Sequence, residues 1–294
     1  MISGLAAKIA AKSFVVTGEL TPPKGTDLAK LFATAELLRA SVDAINITES
    51  PRARMSMDAR AVGKLLLDRG IETIVQVTSR DRNRIAVQAD LLGAAALGLA
   101  NFVFMGGDST TGGDHPEAKP VFDLTASGLL AAAEALRNGR DYSGNALHGT
   151  PELFLGATAN PSAPNFAAEV ENTRRKIDAG ARFLQTQAVY HADVMNRFID
   201  AVKPDGVAIV AGVIPLKSEK SGPWLHANLP GVTVPKDMLD AMDEAAKAGR
   251  ARERGMELAA RVIEEMKGVC QGVHFMAIGW EAEVPEILRN AGLR

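Results

Sequence analysis

Eight short runs rich in Val, Ile and Phe recur along the chain, separated by longer segments of helical period. This alternation restricts the fold more than any other feature. The runs are Phe14–Leu20, Val42–Ile47, Glu72–Val77, Asn101–Met105, Leu153–Thr158, Phe183–Val189, Val207–Val213 and Gly272–Met276. Such near-continuous apolar character marks strands buried on both faces. Helical patterns lie between them at Asp27–Ala40, Met57–Arg69, Asn83–Leu99, Thr125–Asn138 and Ala167–Ala179, with a weaker one from Ala192 to Ala201. Thr26 is expected to cap the first of these and Gly180 to stop the fifth. Met1–Phe14 reads as a short amphipathic helix. Two long helical patterns within Pro235–Lys267 precede the eighth run, so the seventh unit is expected to carry an insertion. Eight strand–helix units in 294 residues are the arithmetic of a (β/α)8 TIM barrel, an α/β fold expected here as one domain over residues 1–294. A doubly wound open sheet would place a Gly-rich phosphate loop after an early strand, and none stands there.

Composition narrows the partners. A net charge of −2 argues against a surface built to neutralise a nucleic-acid backbone. The single cysteine, Cys270, excludes a disulfide framework and any zinc site made of several thiolates, and suits a reducing compartment. No run approaches the ~18 apolar residues of a membrane span. The expectation is a cytoplasmic protein with neither membrane nor nucleic-acid partner. The five histidines, at 115, 148, 191, 226 and 274, form no close pair, so no metal is expected. The helices show no heptad seam, and both a monomer and a homo-oligomer stay open.

A barrel concentrates chemistry at the C-terminal ends of its strands. Those ends hold Gly18-Glu19, Asn46-Ile47-Thr48-Glu49, Gln76-Val77-Thr78-Ser79-Arg80-Asp81, Gly106-Gly107-Asp108, Asn160-Pro161 and Gln185-Thr186-Gln187. Glu19 is either a strand-end carboxylate satisfied by its loop or a general acid that burial keeps protonated. Asp108 is either a turn residue or a charge brought close to a ligand by the glycines before it. Gln187 either bonds a neighbouring strand or recognises a heterocycle through its donor and acceptor together. Asn172, Arg175 and Lys176 fall on one helix face, as a solvated patch or as an anion grip.

Taken together, Glu19-Leu20-Thr21-Pro22-Pro23-Lys24-Gly25, Thr78-Ser79-Arg80-Asp81-Arg82-Asn83, Gly107-Asp108, the run from Asn172 to Gly180 and Gln185-Thr186-Gln187 resemble methylenetetrahydrofolate reductase, in order and spacing along nearly the whole chain. The R-D-R-N segment and the loop from Gly107-Asp108 to Val121-Phe122-Asp123 look most like the branch fused to homocysteine methyltransferases. The resemblance implies interconversion of 5,10-methylene- and 5-methyltetrahydrofolate with NADH or NADPH through FAD. It implies Glu19 as general acid and Asp108 as the charge that steadies an iminium cation, with both residues and Gln187 contacting folate. It also implies Thr48, Gln76, Gly107, Asp108, Asn160, Asn172, Arg175 and Lys176 as residues around the cofactor.

Three departures from the family pattern surround the flavin. Gln76-Val77-Thr78-Ser79 replaces a His-x-Thr-Cys pattern, Gly106 replaces an arginine, and Ala159-Asn160 stands where a tyrosine is common. They predict a loosely held FAD. Two other functions fit the same residues: a pterin-binding methyltransferase barrel, and a folate-binding subunit without catalysis.

Overall fold

The computed structural model describes residues 2–229 and 231–293. Met1, Pro230 and Arg294, which the one-domain expectation spans, lie outside the described residues. Eight parallel strands close into a barrel in chain order: β1 (Val15–Leu20), β2 (Ala44–Ile47), β3 (Thr73–Thr78), β4 (Asn101–Met105), β5 (Phe154–Ala159), β6 (Phe183–Ala188), β7 (Ala208–Val213) and β8 (Gly272–Phe275). Every strand lies within two residues of its expected bounds. Closure is a register statement, with Thr17 of β1 paired to His274 of β8 and Glu19 paired to Asn46 of β2.

Helices α1 (Gly4–Ala10), α2 (Ala29–Arg39), α3 (Ala59–Leu67), α4 (Arg84–Ala96), α5 (Ala126–Arg137), α6 (Phe166–Asp178) and α7 (Ala192–Val202) follow the expected patterns, α1 to α5 shorter, α6 shifted by one residue and α7 one residue longer. The insertion after β7 holds α8 (Ser221–Asn228) and α9 (Lys236–Lys247), and α10 (Ala251–Lys267) then leads to β8. The last helix, α11 (Val284–Asn290), follows β8. Helix α8 and helix α11 have no counterpart among the sequence expectations. The cap expected at Thr26 is a correction. Helix α2 begins only after Leu28, and it is the Asp27 carboxylate that accepts from the Ala29 amide at 2.9 Å. Gly180 does end α6, in a left-handed conformation with φ +113.

Two hydrophobic bodies hold the molecule. The larger lies between the strands' outer faces and the helices, where Leu66, Leu91, Phe102, Leu129, Phe198 and Ile263 are buried. The smaller fills the lower barrel with Val15, Ile74, Val103, Phe154, Phe183 and Val210, and Leu5 of α1 plugs it from below. Side chains on a strand alternate between faces. The inward positions of β1 are therefore Val15, Thr17 and Glu19, and the barrel changes from apolar to polar as it rises. That gradient positions the site.

Candidate active site

The middle layer of the barrel is polar, where such barrels are ordinarily filled with branched apolar side chains. Asn46 and Gln185 form a reciprocal amide pair, Asn46 Nδ2 donating to Gln185 Oε1 at 2.6 Å and Gln185 Nε2 donating to Asn46 Oδ1 at 3.3 Å. Gln185 Nε2 also donates to Thr17 Oγ1 at 3.3 Å, and Thr17 Oγ1 meets His274 Nδ1 at 3.0 Å. All four side chains are buried, and each finds a partner, as a buried polar layer requires.

Above this layer opens a cleft of about 470 Å³, within the range of ligand pockets, bounded by the ends of β1 to β6 and β8. Glu19 stands at its floor. Its Oε2 accepts from Gln76 Nε2 at 3.3 Å and lies 3.3 Å from His274 Nε2, while Oε1 has no hydrogen-bond partner among the described residues. Glu49 closes one wall. One of its oxygens accepts from the Thr78 amide at 2.5 Å and the other is paired to Arg82. Arg80 is buried and held to Asp81 at 2.7 Å, and that hydrogen bond raises its pKa further.

The Asp108 carboxylate sits at the rim and accepts from the Arg52 amide at 2.7 Å. Gly107 delivers it there with φ +91, and a Cβ at this glycine would lie 3.1 Å from the Cβ atoms of Arg80 and Thr78. Gln187 reaches the cleft through a β-bulge between Gln185 and Ala188, opposite Gly212 of β7. A bulge re-aims a side chain in this way. Its Oε1 accepts from the Ala188 amide at 3.0 Å, and its Nε2 has no partner among the described residues.

Helix α6 divides the residues grouped on it by sequence. Lys176 is 5% exposed and lines the cleft, donating to the Thr158 carbonyl at 2.7 Å. Burial lowers its pKa, partly offset by the nearby Glu169 charge. Asn172 donates to Glu169 at 3.1 Å, and Glu169 also accepts from the Asn160 amide at 2.9 Å. Arg175 points away from the cleft, with a side chain 56% exposed and 3.5 Å from Glu171. Of the three residues expected together in an anion grip only Lys176 lines the cleft; Asn172 stands behind Glu169 and Arg175 faces outward. Thr48 is buried against Thr21 at 3.1 Å, outside the cleft lining. Glu19, Gln76, Gly107, Asp108, Asn160, Lys176 and Gln187 are brought together as expected.

Sequence reasoning placed Glu49 among the strand-end carboxylates without giving it a role, and it passed over His274. The signal for His274 was available in the strand period, since two strands that neighbour across barrel closure place Thr17 and His274 side by side. Glu49 lies just beyond β2, where strand-end position marks it but nothing in the sequence shows its pairing with Arg82.

Comparison with known proteins bears on this arrangement. The family model described as methylenetetrahydrofolate reductase matches residues 5–292. A probable methylenetetrahydrofolate reductase (NADPH) of Caenorhabditis elegans is 25% identical over 232 residues, covering 76% of this chain and 33% of that protein. Methylenetetrahydrofolate reductase (NADH) 1 of Zea mays is 24% identical over 192 residues, covering 62% of this chain and 32% of that protein. The chain thus spans about a third of the length of these relatives. Among solved structures, an uncharacterized protein from Clostridium thermocellum that binds two copies of 5-methyl-5,6,7,8-tetrahydrofolic acid superposes with TM-score 0.66 at 17% identity, over 99% of this chain and all of that one. At that identity the likeness speaks for the fold alone. The match across nearly the entire barrel is the decisive finding: this chain belongs to the methylenetetrahydrofolate reductase family.

Proposed function

We propose that the cleft interconverts 5,10-methylenetetrahydrofolate and 5-methyltetrahydrofolate, with NADH or NADPH as the electron donor and FAD between them. The observation that carries this reading is the carboxylate of Glu19, fixed at the cleft floor with one oxygen held and the other free. Opening the methylene bridge needs a proton on the nitrogen that leaves, and a carboxyl with a free oxygen at a cleft floor is suited to give it. Asp108 supplies a negative charge at the rim, held by a backbone amide, where it steadies the 5-iminium cation as it forms. Gln187 offers an unpaired amide N–H to the pterin ring.

The donor set also fits a flavin. Lys176 uses one of its three N–H groups on Thr158, and Thr78 Oγ1 is buried without a partner among the described residues. Lys176 would meet a phosphate oxygen, with Gln76, Thr78, Gly107 and Asn160 around the remainder. Arg175, turned outward to Glu171, is left out of this grip, in keeping with a loosely held cofactor. When bound, FAD supplies the hydride transfer that no side chain can perform.

Folate-dependent oxidation of NADH and NADPH by the purified protein, with and without added FAD, tests the reading. Turnover that requires 5,10-methylenetetrahydrofolate and rises with FAD is the expected result. Tight folate binding without any nicotinamide oxidation would leave a binding protein in its place.

A further inference from the structure

Three strand ends meet around one buried cation. Arg80 stands two residues beyond β3, lines the cleft and is 3% exposed. Its Nε and Nη2 donate to Asp81 at 2.8 and 2.7 Å, which leaves Nη1 and one hydrogen of Nη2 for other partners. Strands β2 and β4 flank β3, so the loops that follow them lie on either side of this guanidinium. On one side both Nη1 and Nη2 donate to the Ser50 carbonyl at 3.4 Å, and on the other Nη1 donates to the Asp108 carbonyl at 3.5 Å. The Arg80 carbonyl accepts from the Val121 amide at 2.7 Å, so the far end of the loop after β4 is tied to the same residue. A rigid fork of donors can join two loops in this way, as a single ammonium cannot.

The loop after β2 needs such holding. Ser50, Arg52 and Ala53 have φ +41, +57 and +53, a left-handed conformation that residues other than glycine rarely adopt. Strain of this kind persists only where surrounding contacts fix it, and it gathers at functional sites. Here Arg80 holds the Ser50 carbonyl, and Asp114 Oδ1 accepts from the Met55 amide at 3.0 Å. Gly113 packs against the same loop so closely that a Cβ there would lie 2.0 Å from the Ala53 carbonyl oxygen. The strained turn presents the Arg52 amide to the rim, and Asp108 Oδ2 accepts from it at 2.7 Å. Arg80 thus holds Asp108 twice, through that residue's own carbonyl and through the loop that binds its carboxylate. From this geometry we infer that Arg80 is the positioning residue of Asp108, fixing the carboxylate where the 5-iminium cation forms. The inference rests on the reductase reading given above. A fixed charge stabilises a developing cation without reorganising as the cation appears, and a carboxylate free to turn does not.

The test is folate-dependent turnover in wild type, Arg80→Lys, Asp108→Asn and the two substitutions together. Lysine keeps the charge but cannot span both carbonyls. Arg80→Lys should lower kcat by about ten- to a hundredfold, the cost of a misplaced group, with the folate KM held within about twofold. In Asp108→Asn protein the charge to be positioned is gone, and adding Arg80→Lys should cost no more than about threefold further. A merely structural arginine would cost the same in both backgrounds. Should Arg80→Lys fail to fold, Asp81→Ala, at a half-exposed side chain, frees the guanidinium from its anchor and carries the same comparison. Wild-type kcat in Arg80→Lys, or an equal loss in the Asp108→Asn background, overturns the inference while leaving the reductase reading intact. Wild-type protein without folate-dependent turnover overturns that reading and the inference with it.

Discussion

Under the proposed function, Lys176 weakens the empty protein and serves the bound one. Its ammonium is buried against one carbonyl, and burial lowers its pKa from the ordinary lysine range. The sign follows from proton counting. Between the lowered folded value and the ordinary unfolded value the unfolded chain binds more protons, so the contribution of Lys176 to stability improves as pH rises through that window. Affinity for an anionic cofactor runs the opposite way and is lost as the ammonium deprotonates. Lys176→Met is expected to hold or raise the melting temperature of the apoprotein while lowering FAD affinity at least about tenfold, as loss of a charge-assisted hydrogen bond should. Thermal unfolding of the apoprotein checks the first part and calorimetric titration with FAD across pH the second: affinity that neither drops in the variant nor falls at alkaline pH in wild type would separate this lysine from the cofactor. Much of the cleft lining was legible at this scale, because Glu19, Asp108 and Gln187 stand at strand ends, where a barrel opens its cleft. Arg175 was not, since spacing places residues on one face of a helix but does not say how far round that face the cleft extends.

Among the elements, the strands were legible and the helix ends less so. A strand buried on both faces writes an unbroken apolar run, and all eight were found. A helix end depends on one local hydrogen bond. Asp27 rather than Thr26 makes that bond at α2, and α8, with its S-G-P-W start, offers no apolar period to read. The end of α6 was readable because a left-handed residue strongly favours glycine. At Gly180 a Cβ would be strained at φ +113 and would also lie 3.1 Å from Glu134 Oε2. Gly180→Ala should therefore cost about 1 kcal/mol or more, seen as a lower urea midpoint at unchanged slope. An unchanged midpoint would mean that the turn after α6 relaxes without strain. Because α6 carries Lys176, the same variant should also loosen FAD.

For the whole molecule, the barrel is divided by height. Its base is apolar and closed by α1, its middle is a satisfied polar layer, and its top is the cleft. The base depends on Gly156, where a Cβ would lie 2.4 Å from the Phe183 ring, itself stacked on Phe154 with centroids 5.1 Å apart. Gly156→Ala is expected to overpack this layer and destabilise the fold by about 1–3 kcal/mol, measured by denaturant unfolding. Stability equal to wild type would show that the base is looser than this packing implies. The middle layer was the part least legible in sequence. Thr17, Asn46, Gln185 and His274 lie on four separate strands, and only closure of the barrel brings them under Glu19. The central claim is that Glu19, supported from below, gives the proton that opens the folate bridge. Stopped-flow measurement of the folate half-reaction, comparing wild type with Glu19→Gln, addresses it most directly. The account predicts normal folding and normal cofactor reduction by nicotinamide, with methylene-folate reduction slowed by roughly two orders of magnitude or more. A folate half-reaction as fast in Glu19→Gln as in wild type would contradict it.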